Sequence, residues 1–391
     1  MPAKRAPHTI THSQRPFDVA VLGGGVAGLA VAWRARARGL SVCVLDRGEL
    51  GAATSRVAAG MLAPVTEADA GERALLALGL DSARRWPAFA DELLEATGVD
   101  VGYRRCGTLV VARDRDEAEA LDRELALRGR LGLEAERLLP SAARRAEPAL
   151  APTVRLALEV PDDHAVDPRL LTGALARAAE RAGVVLRPHA EVTAVAHDGA
   201  RVQGLELRGG ERMAAGRVVV AAGPWSGGEL GLPADARVPV RPVKGQTVRL
   251  RDPGGPGLLG RVVRFDGGYL VPRADGRMVL GATVEERGFD PSVTAWAVHE
   301  LLRDAAELVP GVLELEVEEL LAGLRPGTPD NAPILGASGV LDGLVWATGH
   351  HRNGILLAPV TAELVAAELA GEPAGHPFGP GRFARAAAVA P

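Results

Sequence analysis

Cysteine is scarce in this chain. Only Cys43 and Cys106 occur among 391 residues, too few and too far apart for a disulfide framework or a Cys-rich metal site, so a reducing compartment fits. Aromatic residues make up 3% of the sequence, and no basic stripe is interleaved with them. Lys and Arg number 45 against 49 Asp and Glu, a formal charge of −4, which argues against a nucleic-acid partner. An uninterrupted membrane-length apolar run is also missing. The most apolar stretch, Phe17 to Trp33, holds Asp18 and four glycines and runs into Arg34, Arg36 and Arg38, so it is not a transmembrane helix. Residues 1–16 have no apolar core beside a small-residue cleavage pattern, which excludes a signal peptide. Lys4, Arg5 and Arg15 without an acid read as a disordered tail, with a transit peptide as the alternative. The chain reads as soluble and cytoplasmic.

What is present is apolar material for a sizeable core, 47% of residues, at a length that predicts two domains. Residues 17–22 form a short apolar run that stops at Gly23-Gly24-Gly25, as a buried parallel strand stops at a tight turn. Val26, Leu29, Ala30 and Trp33 then fall at helical spacing, Gly39 supplies a stop, and a second apolar strand, residues 41–45, ends at Asp46. Helical spacing returns over 72–98, over 115–146, over 167–182 with Pro168 just inside, over roughly 292–308 and from near Gly354 to Leu369. Strand character marks 101–111, 184–186, 192–196, 217–222, 314–322 and 345–349. Residues 238–284 alternate β-branched residues with turns at Asp252-Pro253-Gly254, Asp266-Gly267 and Asp275-Gly276, the pattern of an antiparallel sheet.

Gly23-x-Gly25-x-x-Gly28 is a dinucleotide fingerprint. Gly23 permits a sharp turn, Gly25 lets backbone approach a pyrophosphate, and Gly28 allows close packing of helix on strand; the helix N-terminus stabilises phosphate charge. Its position between strand and helix, with Asp46 eighteen residues past Gly28 to bind a ribose diol, makes it specific.

Three further blocks accompany it: Thr54-Ser55-Arg56-Val57-Ala58-Ala59-Gly60-Met61-Leu62, Val219-Val220-Ala221-Ala222-Gly223-Pro224-Trp225-Ser226, and Gly349-His350-His351-Arg352-Asn353-Gly354-Ile355-Leu356-Leu357-Ala358-Pro359. In combination they resemble the D-amino-acid oxidase family of FAD enzymes, and within it the glycine oxidases of thiamine biosynthesis, which share Ala322-Gly323-Leu324-Arg325-Pro326-Gly327-Thr328. The resemblance runs from about Phe17 to Val365. It implies a Rossmann-like α/β FAD-binding domain assembled from residues 17–96, 151–236 and 325–391, and a smaller antiparallel-sheet substrate domain from 97–150 and 237–324. The cofactor implied is FAD rather than NAD, with its adenine half on Gly23, Gly25, Val26, Ala27, Gly28, Asp46 and Arg47. Asp46 stands where the family more often has glutamate. Thr54, Ser55, Ala59, Gly60 and Met61 correspond to a loop at pyrophosphate and flavin, and Val192 to a backbone contact near adenine; read without the family, Met61 is equally a core methionine. Neither cysteine matches the attachment site of covalent-flavin relatives, so FAD is expected to be noncovalent.

The run His350, His351, Arg352, Asn353, Gly354, Ile355, Leu356 opens a helix, whose N–H groups and positive end would stabilise a reduced flavin. Adjacent histidines without a third ligand do not make a metal site, and no metal is expected. Arg325 follows an apolar run at an expected bend. Its guanidinium either pairs inside the protein or faces a cleft, where its fork matches a substrate carboxylate. Tyr269 and Arg352 match the family's other substrate ligands; a core tyrosine and a structural arginine are the alternatives. Hydride transfer to flavin needs orientation and charge stabilisation, so no general base is named. The expected activity is oxidative deamination of glycine, with sarcosine and small D-amino acids as further substrates and hydrogen peroxide as product. The family suggests a homotetramer and, downstream, a thiazole synthase. Alternatives are a D-amino-acid dehydrogenase passing electrons to a quinone-type acceptor, a non-catalytic flavin-binding protein, and an NAD-dependent dehydrogenase.

Overall fold

The computed structural model describes residues 16–383; the expected tail lies outside the described residues except for Pro16. Phe17–Leu22 is a strand whose last four residues are buried, as small and β-branched side chains on both faces require in a parallel sheet. It pairs in parallel with Val42–Leu45 on one side and with Arg212–Val220 on the other. Leu344–Thr348 and Val185–Arg187 extend the parallel array outward, and Ile334–Ala337 closes one edge antiparallel. Helices Val26–Ala37, Arg73–Thr97, Pro168–Arg181 and Ala358–Ala370 share one apolar cluster on one face of this sheet, built around Leu29, Trp33, Phe89, Leu171 and Val365. Strands Val192–His197 and Val202–Leu207 continue from Arg212–Val220 as a meander and contribute to the apolar cluster of the other face.

The fingerprint glycines have the expected geometry. Gly23 has φ +110°, in the left-handed region that favours glycine. A Cβ on Gly28 would fall on the Gly23 carbonyl oxygen, so only glycine lets the first helix cross this close to the turn. Asp167 caps Pro168–Arg181 by accepting from the backbone N–H groups of Arg169 and Leu170.

A second eight-stranded sheet runs in the order 316–327, 241–251, 277–281, 268–272, 262–265, 108–112, 156–160, 136–138. It is antiparallel except where Val262–Phe265 pairs in parallel with Thr108–Ala112. The Ala295–Leu308 helix packs Leu301, Ala305 and Leu308 into the core on one of its faces.

Several expectations are corrected. Residues 115–146 are not one helical region: helix Arg115–Leu131 ends at Gly132 in the left-handed conformation, a short strand Glu136–Leu138 follows, and Pro140 opens a second helix to Ala146. Leu156–Val160 was expected with the dinucleotide unit, yet it pairs in the second sheet with Thr108–Ala112. The C-terminal helix begins at Ala358 rather than near Gly354; residues 354–357 are a turn. Arg325 lies inside the regular strand Glu316–Gly327, opposite Val243, and not at a bend. Pro326 is tolerated there because this strand is the sheet edge, where a missing N–H need not break a ladder.

Gly28→Ala is expected to destabilise the protein by ~1–3 kcal/mol through overpacking against backbone that cannot move aside. Urea unfolding of the variant beside the parent checks this, and an unchanged midpoint contradicts the packing account.

Candidate active site

The two sheets meet at a cavity of about 1050 Å³. Its floor is the carboxyl end of the parallel sheet: Gly23 after the first strand, Asp46 and Arg47 after the second, Ala222 and Gly223 after Arg212–Val220, and His350 after Leu344–Thr348. This is where open α/β sheets bind ligands. Its opposite wall comes from the second sheet, through Gly245, Thr247, Tyr269 and Arg325.

The dinucleotide end is lined by Gly23, Gly25, Val26, Ala27, Asp46, Arg47 and Val192. Gly28 does not line it but permits the turn that does. A Cβ on Gly25 would project toward the Ser55 hydroxyl, 3.3 Å away, into space a phosphate would need. That hydroxyl accepts from the Val26 N–H at 3.1 Å. Asp46 accepts from the N–H groups of Gly24 (2.8 Å) and Gly48 (2.9 Å), which fixes its carboxylate while leaving lone pairs for a diol. Arg47 stacks over Trp225, with Cζ 3.9 Å from the ring centroid.

The loop Thr54 to Met61 bridges the two sheets. Thr54 donates to the Leu324 carbonyl at 2.7 Å, beside Arg325. Thr54, Ser55, Ala59, Gly60 and Met61 all line the cavity. Gly60 has φ +85°, and a Cβ there would fall on the Val166 carbonyl. Met61 is both cavity wall and part of a small apolar cluster with Val271 and Val279, so its two readings coincide.

At the other end, His350, His351, Arg352, Asn353, Gly354 and Ile355 reach the cavity, whereas Leu356 is buried behind it. The Leu356 carbonyl accepts from Ser82 (2.7 Å) and Trp86 (2.9 Å), making it a structural anchor. His350 is buried and shares a hydrogen bond with Thr361, 2.9 Å away; burial pulls its pKa down to about 4. His351, at φ +46°, is pulled to about 4 by burial, aided by Arg352 and Arg325. Both imidazoles are therefore neutral near pH 7. His351 Nδ1 and Thr247 Oγ1 are buried, line the cavity and have no hydrogen-bond partner within the described residues. Orphaned polar atoms together with a glycine cradle fit a polar heteroaromatic cofactor.

Arg325 and Tyr269 come together as expected. Arg325 Nη1 donates to the carbonyls of Thr283 (3.0 Å) and Lys244 (3.4 Å), and no carboxylate among the described residues pairs with this guanidinium. Burial raises the Tyr269 hydroxyl above the ordinary phenol range, with the Arg325 charge opposing, so it is a donor. Arg352 also reaches the cavity, but its guanidinium is engaged: Nε lies 2.9 Å from Glu67 Oε2. Glu67 is a site residue that sequence reasoning missed. It sits on a loop held by buried Asp163, which accepts from the N–H groups of Val65 (2.9 Å) and Thr66 (2.8 Å) and whose carboxyl burial pushes up to about 6. Arg264, donating to the Thr66 carbonyl at 2.8 Å, was missed as well. Val284 lines the cavity but is 73% exposed, so it forms a rim rather than a wall. No group of three or more potential metal ligands occurs among the described residues.

Both histidines stay neutral in the folded protein down to about pH 4 but protonate near 6.5 once unfolded. The unfolded state thus binds more protons in that window, and stability falls as pH drops through it. His350→Gln should remove about one proton from this dependence, ~1.4 kcal/mol per pH unit. Urea unfolding between pH 5 and 7 reads it, and an unchanged slope would show His350 to be charged when folded.

The sequence profile of the FAD dependent oxidoreductase family (DAO) matches residues 18–368. Glycine oxidase of Geobacillus kaustophilus is 37% identical over 351 residues, covering 90% of this chain and 92% of that protein. The crystal structure of glycine oxidase from Geobacillus kaustophilus superposes with a TM-score of 0.88 at 36% identity, covering 94% of this chain and 99% of that one. A bifunctional ThiO/ThiG protein of Synechocystis is 37% identical over 378 residues, covering 95% of this chain, which spans 54% of that protein. The motif resemblance is thereby borne out, and the chain belongs to the family of FAD dependent oxidoreductases, with FAD as its cofactor.

Proposed function

We propose that the protein oxidises glycine, and with it sarcosine and small D-amino acids, to the imine, which water hydrolyses to the corresponding 2-oxo acid, glyoxylate in the case of glycine. The observation that carries this reading is Arg325: a guanidinium in the cavity with no acidic partner among the described residues, beside the Tyr269 hydroxyl. A small carboxylate satisfies both, through charge-assisted hydrogen bonds from the fork and one from the phenol.

Bound FAD would supply the acceptor for the Cα hydride and the two-electron route to oxygen that yields hydrogen peroxide. The chain's own residues bind and orient. Gly23, Gly25, Ser55 and Asp46 would hold the dinucleotide half. Thr247 and His351 bring unpaired polar atoms to the cavity, while within the turn from His350 to Leu357 the N–H groups of His351, Asn353 and Leu357 are bonded to the carbonyls of Pro326, His350 and Asn353. Glu67 pairs with Arg352 at 2.9 Å and lies 3.9 Å from Arg264, whereas Arg325 has no acid beside it among the described residues. Neutral His350 and His351 add no competing positive charge. Because the Cα hydrogen leaves as hydride, the protein's task is orientation and charge stabilisation, and no side chain is named as a base.

No described helix is long and apolar enough to cross a membrane, and cytoplasmic placement fits the reading. The fusion in ThiO/ThiG relatives supports a thiazole synthase as consumer of the imine, and a homotetramer is the assembly that the resemblance suggests.

Arg325→Ala should raise KM for glycine roughly 10²-fold, the loss of ~3 kcal/mol of charge-assisted bonding, with FAD retained and kcat changed far less. Tyr269→Phe should raise KM about tenfold, one charged hydrogen bond. Peroxide-coupled kinetics measure both, and an unchanged KM in Arg325→Ala removes the carboxylate from this site.

A further inference from the structure

Side chains alternate between the two faces of the Arg241–Arg251 strand. Gly245 and Thr247 line the cavity, while Lys244 and Gln246 point to the back of the sheet and are each 1% exposed. On the cavity face Gly245 leaves a gap, and the Arg325 guanidinium lies in it: a Cβ there would come 2.5 Å from Cζ and from Nη2. Tyr269 lies over a second gap, since a Cβ on Gly281 would approach its hydroxyl to 2.9 Å. Arg325 is thus laid against the sheet while still lining the cavity.

The atoms that hold its inner edge are carbonyls of Thr283 and Lys244, and both belong to a polar clamp on the back face. The Gln246 N–H donates to Thr283 Oγ1 at 3.0 Å, and that hydroxyl donates to Glu285 at 2.6 Å. Gln246 Nε2 reaches the same carboxylate at 2.7 Å, and its Oε1 accepts from the Thr294 N–H at 2.7 Å. Buried Lys244 donates to Asp290 (2.9 Å) and Ser292 (3.3 Å). The segment from Thr283 to Thr294 is thereby fastened at both ends. A fully buried ammonium without Asp290 would be an uncompensated charge, so the pair determines where this segment lies.

We infer that Gly245 and the clamp anchored by Lys244 and Asp290 are positioning elements for the Arg325 fork, and that through it they set affinity for the substrate carboxylate; this rests on the reading of Arg325 given above. None of them touches substrate. Gly245 fixes the depth of the guanidinium, and the clamp fixes the carbonyls that orient its plane. Misplacing a substrate-orienting group by about 1 Å can cost as much as ~10²-fold.

The test is peroxide-coupled kinetics on FAD-loaded Gly245→Ala and Asp290→Asn, alone and combined with Arg325→Ala, with acetate binding followed by flavin absorbance as a second readout. Gly245→Ala should raise KM and the acetate Kd about 30-fold, and Asp290→Asn about fivefold, with kcat changed less than about threefold in each. In the Arg325→Ala background neither should raise KM further, because the group they position is gone. Purely structural roles would lower kcat or FAD content and would add to the Arg325→Ala effect, which overturns the inference. If Gly245→Ala does not fold, Asp290→Asn, on a half-exposed carboxylate, decides alone: an unchanged KM overturns it. If Arg325→Ala itself leaves KM unchanged, the functional reading fails instead.

Discussion

The site depends on a cation left without a counter-charge. Removing an arginine from water is costly unless acids or carbonyls replace the lost hydration, and elsewhere this protein supplies them. Arg273 and Arg277 share Asp167, and Arg169 meets Glu319 at 2.6 Å. Arg352 has Glu67. Arg325 receives two backbone carbonyls and no acid, and its outer edge opens on the cavity. The surrounding arrangement keeps that guanidinium both stable and available: glycine beneath it, a tyrosine hydroxyl beside it, and an acid, Glu67, that engages Arg352 instead.

The two sheets divide the work. The parallel sheet presents the ends of four strands and the start of the Val26–Ala37 helix, backbone groups suited to phosphates and a ribose. The second sheet offers a face rather than an end, and so supplies side chains, Tyr269, Thr247 and Arg325, to whatever lies over the cofactor. Loop 54–61 spans both and is fixed by Thr54 to the strand that carries Arg325, so the two walls of the cavity are placed on one connected frame.

Legibility in the sequence tracked how local each determinant is. The fingerprint, Asp46, the helix start at Pro168 and the turns at Asp266-Gly267 and Asp275-Gly276 are written within a few residues of where they act, and the structure has them there. Arg325 was recognisable as a charge after an apolar run, but its place inside an edge strand depends on pairing with residues 241–251. Leu356 carried a motif position yet turned inward to Ser82 and Trp86, which lie some 270 residues earlier. Glu67 and Gly245 had no local signal. Each matters because of a partner far along the chain, Arg352 in one case and Arg325 in the other. One glycine among 48 does not announce that a guanidinium rests on it.

The most direct measurement is an anaerobic titration of the purified yellow protein with glycine, following the visible flavin band, then admitting air and assaying peroxide. Bleaching by glycine, with recovery of colour and peroxide formation in air, is the predicted result. A flavin that glycine leaves oxidised would contradict the central claim that Arg325 awaits the carboxylate of this amine substrate.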